Sequence, residues 1–167
     1  IEPKDAAVRV RLAEVYDSAT TGLSKKRAIE LYHQALGWAA ADEIPPLRAR
    51  LCELLRETGE FSAAENEAGI LLDKVQAAGA NESAKESLAA LRAQGLRLRA
   101  LAIFDQCQLG IWKASPQETR SVDEIVEEAL KANPGDRELV LRMGKIYREK
   151  PQWLAADKGS LPEAERH

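Results

Sequence analysis

The sequence predicts an all-α fold on three observations. Ala and Leu supply 49 of 167 residues, whereas Val, Ile and Thr supply only 19, a bias toward helix and away from sheet. Apolar residues recur at spacings of three and four, the mark of one-faced helices. Gly, Pro and Thr-rich breaks interrupt that periodicity at short intervals, so the helices are several and short.

The elements follow in order. A first helix is expected over about Asp5–Ser18, with Val8, Leu12, Val15 and Tyr16 as its inner face, ended by Thr20-Thr21-Gly22. A second covers about Ser24–Ala41, burying Ala28, Ile29, Leu31, Tyr32, Ala35 and Leu36. Pro45-Pro46 breaks the chain and suits the first turn of a third helix, Pro46–Thr58, which carries Leu47, Leu51, Leu54 and Leu55. Gly59 is placed to end it. A fourth helix spans Phe61–Ala78, and Gly79 closes it. Ser83 and Glu86 have capping-box spacing, as do Ser121 and Glu124.

Between Ala84 and Trp112 the one candidate break is Gly95. Two readings stand: one long helix, or a hairpin of Ala84–Gln94 and Leu96–Trp112. Helix phase favours the long helix. A further helix runs from Ser121 to about Asn133, Pro134-Gly135-Asp136 turns the chain, and a last helix covers about Arg137–Lys150, stopped by Pro151. Residues 154–167 read as a polar tail after a single domain over 1–153.

Composition excludes several classes. Apolar residues make up 45% and charged residues 31%, which does not describe a disordered chain. The net charge is -3, so no nucleic-acid partner is expected, because a phosphate binder carries a basic surplus. No apolar run approaches the roughly 18 residues that span a bilayer, and membrane insertion is not expected. No targeting signal is visible, which favours a cytoplasmic setting. The chain begins at Ile1 rather than Met, as expected of an excised or processed piece. Cys52 and Cys107 lack CxxC spacing and read as small buried hydrophobes; a disulfide would require export.

The helix succession carries a finer pattern. Leu12-Ala13-x2-Tyr16 is followed by Ala28-x3-Tyr32-x2-Ala35; Leu51-Cys52-x2-Leu55 and Gly59 by Ala64-x3-Ala68-x2-Leu71. Val122-x3-Val126-x2-Ala129 ends on Pro134, and Val140-x2-Met143-Gly144-x2-Tyr147 opens a further unit. These spacings resemble the tetratricopeptide repeat (TPR), a unit of about 34 residues with small and aromatic residues at fixed places. The resemblance implies a right-handed α-α superhelix of about three and a half units: 5–41, 46–79, 82–133 with a lengthened first helix, and a half unit at 137–150. There are departures. Arg9 and Arg48 stand where the family has Trp, and 58 residues separate Ala64 from Val122.

No nucleotide-binding, hydrolase, zinc-protease or EF-hand motif occurs. His33 has no second ligand at metal spacing and His167 is terminal. Glu124, Glu127 and Glu128 read as solvated helix surface. No catalytic residue, metal or cofactor is therefore expected, and the protein is read as no enzyme. Trp38 reads as core or as packing between units; Trp112 and Trp153 either cover the ends of the solenoid or anchor a partner. Arg92, Arg97 and Arg99 cluster without the interleaved aromatics that stack bases.

The resemblance further implies that the first helix of each unit lines a shared groove that binds a peptide or a partner protein. The residues pointing there would be Arg11 and Glu14, Arg50 and Glu53, and Arg142 and Lys145. Arginines repeated at equivalent places would hold carboxylates by forked hydrogen bonds, so an acidic segment is the expected ligand. The competing reading pairs these arginines with nearby acids of the same chain. The clamp by which chaperone-binding members hold a terminal carboxylate is missing, since Val10 and Glu14, and Ala49 and Glu53, occupy its positions. The functional expectation is a non-enzymatic scaffold. The alternatives are a self-association module forming a homo-oligomer, or part of a regulatory or enzymatic protein whose active portion lies elsewhere.

Overall fold

The computed structural model describes residues 6–19, 21–78, 85–113 and 120–149. Seven α-helices and no strands occur among the described residues: α1 Ala6–Ser18, α2 Gly22–Leu36, α3 Ile44–Glu57, α4 Phe61–Ala78, α5 Lys85–Leu109, α6 Val122–Ala132 and α7 Arg137–Glu149. The fold is all-α. Each helix packs on the next, and α3 also meets α5 while α5 meets α7. The Ser83 capping box, Trp153 and the tail lie outside the described residues.

Local chemistry sets the boundaries. Thr21 opens α2, its hydroxyl accepting the Ser24 N–H at 3.2 Å. Prolines fill the first turn of α3, where their missing N–H leaves no helical bond unmade. Gly59 ends α3 with φ +83°, and Glu60 N–H returns to Leu55 O at 2.8 Å while Gly59 N–H reaches Arg56 O at 3.1 Å. This six-to-one bond pair over a left-handed residue satisfies carbonyls that the helix end would leave open. The same closure recurs at Gly110, φ +69°, with Ile111 N–H on Gln106 O. It ends α5 at Leu109, three residues before the expected Trp112. In α6 the Ser121 N–H donates to Glu124 Oε2 at 3.0 Å, as the box spacing requires. Asp136 caps α7 by accepting from Glu138 and Leu139 N–H at 2.9 and 3.1 Å.

The long-helix reading of 84–112 holds, since α5 runs unbroken through Gly95. That glycine is buried against α4. A Cβ there would lie 3.0 Å from a Leu72 methyl, so the two helices approach more closely than a larger residue allows. Small residues at a contact shorten the interaxial distance.

Two apolar clusters make the core. The first draws on α1–α4 and on Leu98 and Ala102 of α5. The second joins Leu96, Leu101, Ile103, Phe104 and Cys107 of α5 to α6, α7 and Trp112. From Ala100 to Phe104 every side chain of α5 is fully buried. This stretch is apolar on every side because it packs between two clusters, which weakens the one-sided periodicity of the helix.

Two sequence expectations are corrected. The face Val8, Leu12, Val15 and Tyr16 of α1 is not buried; these residues are 47, 43, 65 and 37% exposed, and Ala13 alone of α1 is fully buried. The contact with α2 uses small residues, Ala13, Ala28 and Ala35, all inaccessible, which turns the larger apolar residues outward. Trp38 is not core either. The α2 helix stops at Leu36, not Ala41, and Trp38 in the following turn is 46% exposed under the Arg9 guanidinium, 4.4 Å from its ring centroid. A guanidinium over an indole face is attracted by the ring quadrupole.

Candidate functional site: the groove between α1 and α3

Helix α1 packs on α2 but leaves an open groove of about 750 Å³ against α3, lined by Ala7, Val10, Arg11, Glu14, Val15, Ser18, Glu43, Pro46 and Leu47. Its floor is apolar. Its rims carry three charges, of which Arg11 and Glu14 make no hydrogen bond or ion pair within the described residues, while Glu43 accepts the Ala40 N–H at 3.0 Å.

A cluster of ions lies outside the groove's lining. Arg50 of α3 forks onto Asp17 of α1, Nε and Nη2 donating to the two carboxylate oxygens at 2.7 Å each, and its Nη1 donates to Glu53 at 2.7 Å. Lys25 of α2 donates to the same Asp17 at 3.1 Å and to Glu57 at 2.7 Å. Three helices are thereby tied at one point. Burial opposes ionisation of Asp17, but the hydrogen bonds from Arg50 and Lys25 outweigh it and hold the carboxyl below its usual range. The Glu57 hydrogen bond, outweighing burial, raises the Lys25 ammonium above its usual value. Burial, assisted by Asp17 and Glu14, pushes the nearby Tyr32 phenol up.

The structure divides the six residues picked from the sequence. Arg11 and Glu14 line the groove. Arg50 and Glu53 are joined to each other and do not line it. Arg142 lies elsewhere, on Asp105 of α5 and on Glu138 at 3.0 Å. Lys145 stands exposed on α7, with no ion pair among the described residues. Arg50 and Arg142 each reach from their own helix to an Asp on another odd-numbered helix. Those aspartates, Asp17 and Asp105, were missed by sequence reasoning. A signal existed, because each directly follows an aromatic residue, Tyr16 or Phe104.

The Asp105 junction extends into a ladder. Arg56 donates to Asp105 at 2.8 Å, and Arg97 bonds Asp136 and, at 2.7 Å, Glu138. Arginines of α3, α5 and α7 are thus met by acids of the same chain. Arg92 and Arg99 likewise have carboxylates, Glu128 and Glu65, within 4 Å.

Burial pushes both thiols, Cys52 and Cys107, up to about 12, so neither is a thiolate near neutral pH. Cys52 Sγ donates to Ala64 O at 3.1 Å, and both cysteines are free. Among the described residues no three His, Cys, Asp or Glu side chains are grouped to hold a metal ion, and no helix is long and apolar enough to cross a membrane. Trp112 is 9% exposed within the second cluster, which fits an end cover better than a surface anchor. No family model matches this chain, and neither a curated protein nor a solved structure matches it.

Proposed function

We propose that the protein is a non-enzymatic interaction module of TPR-like helix pairs that receives a segment of a partner protein between α1 and α3. The observation carrying this reading is the groove itself: an open apolar floor between two helices, rimmed by the unpaired charges of Arg11 and Glu14. Such a surface offers apolar area to bury and polar groups to fix register. The arginine row expected to bind an acidic ligand supports that version less well, because Arg50 and Arg142 are already held by Asp17 and Asp105.

The test is Val15→Glu. Val15 is 65% exposed and lines the groove, so the substitution leaves the core intact while placing a charge on the floor. Binding of a partner segment should weaken at least tenfold with thermal stability unchanged; unaltered affinity removes the reading.

Self-association is the second reading, favoured by the uncovered stripe Val8, Leu12, Val15 and Tyr16, since contiguous exposed apolar patches mark interaction surfaces. Light scattering over a range of concentrations separates the two: a rising mass that Leu12→Lys abolishes would select self-association.

A further inference from the structure

We infer that the segment received by this groove carries basic side chains beside its apolar anchors, an inference that rests on the docking reading above. The argument is charge complementarity. Along the groove Glu14 and Glu43 face a single cation, Arg11. The neighbouring ion cluster, which does not line the groove, ties Lys25 and Arg50 to Asp17, Glu53 and Glu57. Two carboxylates thus stand against one cation along the groove's lining. The cations of the cluster are each bonded to two or more of its acids. Among the described residues that line the groove, Arg11 is the one cation, and it makes no ion pair there.

Coulomb attraction favours a complementary charge and penalises a like one at an interface of this kind. Glu14 is the focal group. It is exposed on the wall of α1, makes no bond within the described residues, and contributes with Asp17 to the negative surroundings felt at Tyr32. A Lys or Arg lying along the groove would meet Glu14 and Glu43, with its alkyl stem over Val10 and Leu47; long basic side chains cover apolar surface in this way. An acidic segment, the chemistry expected from the repeated arginines, would instead meet like charge on both walls.

The experiment selects random 12-residue segments displayed on phage against the full chain, then measures a synthesised winner against variants by fluorescence anisotropy. Enriched sequences should pair large apolar residues with Lys or Arg. Their affinity should fall about tenfold with Glu14→Lys and be lost with Val15→Glu. Acidic winners, or winners indifferent to Glu14→Lys yet lost with Val15→Glu, would overturn the charge inference and leave the docking reading standing. Winners indifferent to Val15→Glu, an absence of enrichment over empty beads, or a dimer of the chain that Val15→Glu dissociates, would overturn both.

Discussion

Asp17 shows how much one side chain can organise. Its two oxygens take three donors from Arg50 and Lys25, on two helices other than its own. Asp17→Asn keeps the shape and removes the charge, and should cost about 1–3 kcal/mol, the range for hydrogen bonds to a charged group. Urea titration at pH 7 checks it. Asp17 and Asp136 both ionise more readily folded than unfolded. For Asp136 burial is opposed and outweighed by the Leu139 N–H and by Arg97. Groups of this sign stabilise fully above the unfolded carboxylate value, near pH 4, and the stabilisation drains as pH falls through the lower folded value. Stability should therefore decline on acidification below about pH 4, and the decline should be shallower in Asp17→Asn. A steeper acid limb in that variant would contradict the assignment. Gly59 is the other residue with a single dominant role. Its φ of +83° disfavours any Cβ, so Gly59→Ala should lose about 1 kcal/mol by the same urea assay.

At the scale of elements, α5 and α1 are opposites. The sequence of α5 left open whether Gly95 was a hinge. The reason it is not lies in α4: Leu72 stands where a side chain at position 95 would go. Gly95→Leu should overpack this contact and destabilise by about 2–3 kcal/mol, read as a lower Tm. Periodicity located all seven helices within a few residues, because caps, prolines and glycines act locally and are visible in the chain. It failed on the inner face of α1 because a repeating apolar stripe says that something covers it, not what. Val8 and Leu12 fit the pattern, but the neighbour α2 offers Ala28 and Ala35, and contact with them needs only Ala13. Trp38 was misplaced for a related reason: its partner, Arg9, comes from another helix. The candidate site was half legible. Arg11 and Glu14 line the pocket between α1 and α3, whereas Arg50 and Arg142 are held by acids that spacing alone did not assign.

Across the whole molecule, stability should grade from one side to the other. Helix α1 places one fully buried side chain in the core, while α5 contributes an unbroken run from Ala100 to Phe104. Opening free energies follow the density of buried contacts. Amide exchange should therefore be fastest in α1 and slowest in the carboxyl-terminal half of α5; equal protection in both would refute this. Phe104→Ala should cost about 3–5 kcal/mol, as for other buried aromatic truncations, with a single unfolding transition seen by both far-ultraviolet circular dichroism and Trp fluorescence.

The double allegiance of α5 bears on how this chain can be divided. Repeat arrays are commonly treated as strings of interchangeable beads, each contributing its own increment. Here Leu98 and Ala102 serve the amino-terminal cluster while Phe104, four residues along from Ala100, serves the other. A cut between residues 78 and 85 would strip one half of its wall and give the other a naked rod. Neither product should survive alone, and a cut after Leu109 would in turn bare Leu96, Leu101, Ile103 and Phe104, which α6 and α7 cover.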